Sequence, residues 1–408
     1  MVLILEGIFW LSVAAVSYNY IGYPVYLVVL GFCSQAYSDF VFLRHRKSRR
    51  TDERGFGQPR IAIVIAAYNE ETVIEERVKN ALSLNYPEEL CEILIGLDSP
   101  TDLTAEVLRK FDSPRVRVFH FEERRGKLRV ISDLVQRTSA EILVFTDANT
   151  YFEPDCVAKL ARHFSNPRVG VVSGEEVRAS GKGIDPAAEG AYWKYESALK
   201  ILESRVGYLH SANGGVYAIR RGLFHPEPDL IVEDFQIPLS VRFRGHLVVY
   251  DPEAISVEEI APTLAAQFER RVRIAAGNFQ TLFSNPSYLS PFKGAPAFAY
   301  WSHRVLRWVT PLLLILAWSC SGALLRINPY QWLFALQTVF WLLALYGYWR
   351  KRWGKPIRAS KIPLYFCTMN CAIVLGLFRY LRGLQSLAWK PTPRQLPSQL
   401  PTTRKSGA

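Results

Sequence analysis

The 408-residue chain is predicted to be an α/β domain with a mostly parallel sheet, set between transmembrane α-helices. Three observations lead to this. Short β-branched runs alternate with helical patterns from Pro59 to about Ser256, which implies βαβ units. Apolar and aromatic residues gather at both ends of the chain, and the basic clusters Arg44–Arg50 and Arg350–Lys361 each abut an apolar segment. Such clusters mark the cytosolic side of a membrane span.

Val2–Phe32 is apolar except for Glu6, Asn19 and some hydroxyls. About 20 apolar residues suffice to span a bilayer. A signal peptide is shorter and begins with positive charge, whereas here the basic cluster follows the span. The first segment is therefore placed at 1–43, with the following domain in the cytosol. Thr51–Gln58 is a polar linker. The domain itself is placed at 59–260, with strands at Ile61–Ala67, Glu92–Leu97, Val116–Phe121, Ile142–Phe145 and Val169–Val172. Helical patterns lie between them at Glu70–Leu84, Thr104–Phe111, Lys127–Arg137 and Asp155–Phe164.

Residues 261–300 are assigned to interfacial helices, because Thr263–Phe283 carries arginines at helical spacing among apolar residues and should lie along the membrane surface. Residues 301–385 hold three further apolar segments, Val305–Leu325, Trp332–Trp349 and Ile362–Leu381. The last contains Thr368 and Asn370 and is expected to pack against protein or to re-enter without crossing. That makes four membrane segments in all. The basic tail 386–408 is rich in Pro, Ser and Thr and is read as loose.

Lysine and arginine number 49 against 37 acids, a formal net charge of +12. With the basic residues clustered beside apolar segments, the charge points to a membrane and not to nucleic acid. The six cysteines show no paired spacing and no accompanying histidines, which excludes a disulfide framework and a zinc site. Gly-rich dinucleotide fingerprint, P-loop and HExxH are all absent from the sequence.

Acids at strand ends remain. Ile61–Ala67 runs into Tyr68-Asn69-Glu70, Glu92–Leu97 into Asp98-Ser99-Pro100-Thr101-Asp102, and Ile142–Thr146 into Asp147-Ala148-Asn149. Singly, such residues start turns and cap helices. Three at one edge of one sheet mark the place where ligands of parallel sheets bind. A carboxylate there can accept from a base or a sugar hydroxyl, and an acid with a polar neighbour can hold a divalent ion against phosphate oxygens. Gly126-Lys127, before a helix, offers a phosphate contact or a solvated helix-start cation. Asp234, in Val232-Glu233-Asp234, is either a helix cap or a carboxylate that takes a proton from an attacking hydroxyl. Arg270-Arg271-Val272-Arg273 offers guanidinium groups to a departing diphosphate, or a basic face to the inner leaflet.

Taken in order, these segments resemble the membrane branch of glycosyltransferase family 2, the branch of cellulose, hyaluronan and poly-N-acetylglucosamine synthases. IVIAAYNE is similar to the family's first strand and turn, with Tyr68 and Glu70. LDSPTD resembles its DGSTD element, which makes Asp98 the uridine-contacting acid, and RRGK its Gly-Lys nucleotide element, with Lys127. TDAN stands where the family has its DxD metal motif, giving Asp147 and Asn149. VED resembles the TED motif, with Asp234 as catalytic base. RRVRI stands at the (Q/R)xxRW motif, giving Arg270 and Arg273, with Ile274 in the place of the tryptophan. SANGG, followed by Arg220-Arg221, is similar to acceptor-side segments.

The resemblance implies a GT-A fold, Mg²⁺ or Mn²⁺, and inverting transfer from a UDP-sugar to a membrane-associated glycan or lipid, in exopolysaccharide or cell-surface glycan synthesis. It places the chain in the plasma or inner membrane, multi-pass, with the catalytic domain cytosolic. Asn149 should hold metal more weakly than a second carboxylate, and Ile274 puts processive synthesis in question. Single-sugar transfer to a lipid acceptor and a non-catalytic sugar-binding membrane subunit are the alternatives.

Overall fold

The structure, a computed structural model, describes residues 1–45, 58–179, 186–227, 229–259, 264–351, 354 and 357–385. Most of the Arg44–Arg50 cluster and of the Thr51–Gln58 linker, four positions of the second basic loop and the tail 386–408 lie outside the described residues.

The chain begins with α1 (Val2–Ser17), which passes through a π-helical turn, Tyr18–Gly22, into α2 (Tyr23–His45). The apolar run Val2–Arg44 is 43 residues of helix, about 65 Å at 1.5 Å per residue, roughly twice the thickness of a bilayer's hydrocarbon core. The helix continues past the apolar stretch Val2–Phe32 to His45 without a break. The domain follows as β1 (Ile61–Ala67), α3 (Ile74–Leu82), β2 (Cys91–Asp98), α4 (Thr104–Leu108), β3 (Val116–Phe121), α5 (Lys127–Val135), β4 (Ile142–Asp147), β5 (Thr150–Phe152) and α6 (Cys156–Arg162). Then come β6 (Val169–Ala179), α7 (Pro186–Val206), β7 (Tyr217–Arg220), α8 (Glu233–Phe243) and β8 (Leu247–Glu259).

The eight strands lie in the order β3-β2-β1-β4-β7-β6-β8-β5. The first four are mutually parallel, as expected. Beyond β4 the sheet is mixed: β7 runs against both neighbours, β6 and β8 are parallel, and β5 runs against β8. β5, β7 and β8 escape the periodicity reading because β5 and β7 are only three and four residues long and Asp251-Pro252-Glu253 interrupts the apolar pattern of β8. All of β1 is buried, since helices cover both faces of the sheet. Ile61, Ile63 and Ile65 pack with Ile74 and Val78 of α3 on one side, while Ala62 and Val64 meet Val130 and Ile131 of α5 on the other. The register sets Ala67 beside Leu97 and Ala66 beside Asp147, so the acidic ends of β1, β2 and β4 share one edge.

The remainder is helical: α9 (Leu264–Ser284), α10 (Ala295–Tyr300), a π-helical turn at Trp301–Val305, α11 (Leu306–Ala323), α12 (Tyr330–Lys351) and α13 (Arg358–Leu381). Val2–Arg44, Ala295–Ala323, Tyr330–Arg350 and Arg358–Leu381 are long and apolar enough to cross a membrane. α13 is one unbroken helix, with no turn of the kind a re-entrant segment needs. Thr368 and the amide N–H of Asn370 bond back to the carbonyls of Leu364 and Phe366, within the helix.

Buried polar contacts tie these helices to one another and to the domain. Tyr23 donates to Glu203 of α7 at 2.8 Å, His303 meets the same carboxylate at 2.8 Å, Asn19 bonds Ser302 O at 2.9 Å, and Arg307 pairs with Glu196. α9 is packed against its neighbours. Its side chains pack between α8 and α13, and Phe279 joins a cluster with Phe235, Tyr300 and Trp308.

Candidate active site

A cleft of about 120 Å³ opens at the acidic edge of the sheet, lined by Gly126, Lys127, Asp147, Gly214, Glu233, Asp234, Arg270, Arg273 and Ile274 among others. A larger open hollow of about 800 Å³ lies at the opposite edge, beside Arg60 and Arg115, away from these acids. Chemistry belongs to the smaller cleft, because the sequence candidates Lys127, Asp147, Asp234, Arg270 and Arg273 converge there and none of them lines the larger hollow.

Lys127 opens α5 after Gly126, whose φ of 86° lies where only glycine is at ease. Its Nζ stands 2.7 Å from Asp147 Oδ1 and 2.6 Å from Glu233 Oε1. Lys127 is therefore neither a solvated cation nor, in this state, open to phosphate. Burial works against its charge, but the two carboxylates prevail and hold its pKa above the usual lysine value. Burial would likewise raise Glu233, yet the Lys127 ammonium keeps it below the usual glutamate value.

Asp234 has the opposite fate. Burial, then the adjacent Glu233 charge, pushes its carboxyl up from 3.8 to about 6, which suits a base working near neutrality. Its surroundings come from the Ser211–Gly215 segment: Ala212 N donates to Asp234 O at 3.0 Å. A Cβ at Gly214 would stand 2.7 Å from Asp234 Oδ2, so only glycine admits the carboxylate there.

Arg270, Arg273 and Ile274 reach the cleft from α9 because positions three and four apart share a helix face. Arg270 is held by Glu258 of β8 at 2.9 and 3.1 Å, and Arg273 donates to Ile231 O at 3.4 Å. The Glu258 charge, against the effect of burial, raises the pKa of Arg270. Arg271 points elsewhere: it donates to Tyr365 OH at 3.0 Å and lies over the Tyr192 ring.

Four of the sequence candidates do not line this cleft. Asp98 is buried and accepts from Arg125 N at 2.6 Å and Gly126 N at 3.0 Å, so it shapes the turn that delivers Lys127. The Tyr68 ring carries the Arg124 guanidinium at 3.6 Å. Glu70 is fully buried, and its backbone N–H donates to Thr104 Oγ1 at 2.8 Å. Asn149 is half-buried just past Asp147. The loops after β1 and β2 are nonetheless unusual, since Asn69 and Ser99 adopt φ of 53° and 54°, a left-handed backbone that tends to collect at functional sites. Glu233 is the residue the motif reading passed over; its signal was its place beside Asp234.

The donor set fits a hard divalent ion only in part. Asp147 offers a carboxylate and Asn149 a neutral oxygen, and Mg²⁺-like ions accept one or two carboxylates when phosphates and water complete the shell. Among the described residues no group of three or more His, Cys, Asp or Glu side chains is placed to hold an ion. The residues thus suit an ion shared with a diphosphate and not an ion held by protein alone.

Residues 62–224 match the family described as Glycosyl transferase family 2. The chain carries a glycosyltransferase family 2 domain. It is 23% identical over 304 residues to the poly-beta-1,6-N-acetyl-D-glucosamine synthase of Staphylococcus aureus, covering 72% of this chain and 73% of that protein. It is also 23% identical over 275 residues to the synthase of that name from Staphylococcus epidermidis, covering 64% and 65%. The mannosyltransferase PcManGT from Pyrobaculum calidifontis, solved with GDP-Man and Mn²⁺, superposes with a TM-score of 0.65 at 21% identity, over 92% of this chain and 99% of that one. This likeness establishes the fold: the glycosyltransferase domain is a GT-A-type mixed sheet flanked by apolar helices. An enzyme replaces the reading of a non-catalytic sugar-binding subunit.

Proposed function

We propose that the glycosyltransferase moves a sugar from a UDP-sugar, with inversion, onto a glycan or lipid acceptor held at the membrane, in assembly of an exopolysaccharide or surface glycan. One observation carries this reading: a buried carboxyl raised to about 6, Asp234, faces the same cleft as Lys127, Asp147, Arg270 and Arg273. Asp234 takes the proton of the acceptor hydroxyl as its oxygen attacks the anomeric carbon. The bond from that carbon to the donor phosphate breaks, and the electron pair leaves on the diphosphate. Arg270 and Arg273 donate hydrogen bonds to the departing oxygens, where a guanidinium fork matches phosphate geometry. A divalent ion beside Asp147 and Asn149 would supply further charge neutralisation of that diphosphate. Tyr68, Glu70 and Asp98 then order the nucleotide side of the site. The named synthase relatives support a glycan product, and the four apolar helices support a multi-pass place in the plasma or inner membrane with the domain cytosolic.

A second reading, one sugar added to a lipid, is favoured by Ile274, which lines the cleft where the family resemblance implies a tryptophan. The purified full chain in lipid, supplied with a panel of UDP- and GDP-sugars, tests both. Transfer from a UDP-sugar with chain growth supports the first reading, a single addition to lipid supports the second, and no release of nucleotide from any donor refutes both.

A further inference from the structure

Lys127 occupies a position that the functional reading does not explain. Its ammonium lies within salt-bridge distance of two carboxylates from different elements, Asp147 at the end of β4 and Glu233 at the start of α8. The three side chains are only 22%, 26% and 12% exposed, so this is a desolvated cluster and not a surface pair. Asp147 is also the single carboxylate of Asp147-Ala148-Asn149, and one of its oxygens is bonded to the lysine.

We propose that Lys127 is a tethered counter-ion that holds the place of the divalent cation between Asp147 and Glu233 while the cleft is empty, so that cation and nucleoside diphosphate enter together. The inference rests on the reading of Asp147 as the carboxylate of the ion. A divalent ion arriving alone meets an ammonium already bonded to the oxygen it needs, and the two cations repel across a poorly solvated gap. A diphosphate arriving alone finds four acids lining the cleft, Asp147, Asp229, Glu233 and Asp234, with the ammonium of Lys127 already bonded to two of them. Together they remove both obstacles: the phosphates attract the ammonium away from Asp147, and the freed carboxylate takes the ion.

The local structure permits this exchange without moving the backbone. Lys127 is the first residue of α5, and the turn before it is fixed by the bonds from Arg125 N and Gly126 N to Asp98. Only the flexible four-carbon stem has to pivot. Of the other cations lining the cleft, Arg125 pairs with Asp133, Arg129 with Asp229 and Arg270 with Glu258, whereas Lys127 is bonded to Asp147 itself and is the group poised to make the exchange.

The experiment is direct binding by the full chain in lipid nanodiscs, with Mn²⁺ followed by its electron paramagnetic resonance signal and UDP by calorimetry. In the wild type, UDP should tighten Mn²⁺ binding by roughly tenfold or more, and Mn²⁺ should tighten UDP binding by the same factor, as linkage requires. Lys127→Gln should bind Mn²⁺ without UDP roughly tenfold more tightly than the wild type, with the synergy reduced. Lys127→Arg keeps the charge and should resemble the wild type. Should Lys127→Gln not fold, the wild-type synergy and its retention in Lys127→Arg decide the matter. Mn²⁺ taken up as tightly without UDP as with it, or Lys127→Gln matching the wild type, overturns the inference. Asp147→Asn separates the two levels: if it still binds Mn²⁺ in the presence of UDP, the ion lies elsewhere and the underlying site reading fails.

Discussion

Replacing Asp234 by asparagine separates two consequences of one burial. The carboxyl rises from 3.8 to about 6 because it is desolvated and lies beside Glu233. At 1.36 kcal/mol per pH unit this is about 3 kcal/mol, an upper bound because the two neighbouring acids share the effect. The folded group holds its proton more tightly than the unfolded one. Its contribution to native stability is therefore complete below about pH 4 and is lost as pH rises through about 6. Asparagine cannot ionise, so Asp234→Asn should be more stable than the wild type by up to about 3 kcal/mol at pH 8 and no more stable near pH 4. Activity should move the other way. Loss of the proton acceptor should lower turnover by ~10²–10⁴ while UDP affinity stays close to normal, and wild-type turnover should rise with pH through about 6. Thermal unfolding in nanodiscs at both pH values, with UDP release and UDP binding at pH 8, measures every term. Equal stability changes at the two pH values, or retained turnover, would refute the argument.

Three further substitutions examine the supports of the site. Gly214→Ala places a methyl group 2.7 Å from Asp234 Oδ2, and turnover should fall by roughly tenfold or more with UDP affinity unchanged, as expected for a misplaced base; parallel kinetics and calorimetry show whether the two separate. Gly376→Ala brings a Cβ within 2.5 Å of Ala275 Cβ and 2.9 Å of Val272 O, so the α13–α9 contact should weaken by about 1–3 kcal/mol, read as a lower melting temperature. Ile274→Trp restores a flat ring to the cleft; with aromatic stacking at ~1 kcal/mol, product length at fixed donor concentration should shift about fivefold toward extension. Long polymer from the wild type would assign the platform to another aromatic residue.

Local pattern determined much of this protein. β1, β3 and the starts of α4 and α5 fall where periodicity places them: β1 is covered and apolar on both faces, the edge strand β3 is half-buried with Arg117 and His120 exposed, and one face of each covering helix is apolar. The apolar helices are visible from length alone. Acids at strand ends point to one edge of the sheet, since the parallel order of β2, β1 and β4 brings their ends together.

Partnership was decided only by tertiary structure. Nothing in Gly126-Lys127 announces that the ammonium meets Asp147 twenty residues on and Glu233 more than a hundred residues on. The turn-forming use of Asp98, the bond of Arg271 to Tyr365 and the inward face of α9 were equally hidden. Residue type fixes which interactions a side chain can make. Which one it does make depends on the groups the fold brings within a few ångströms, and on how much water burial removes from between them.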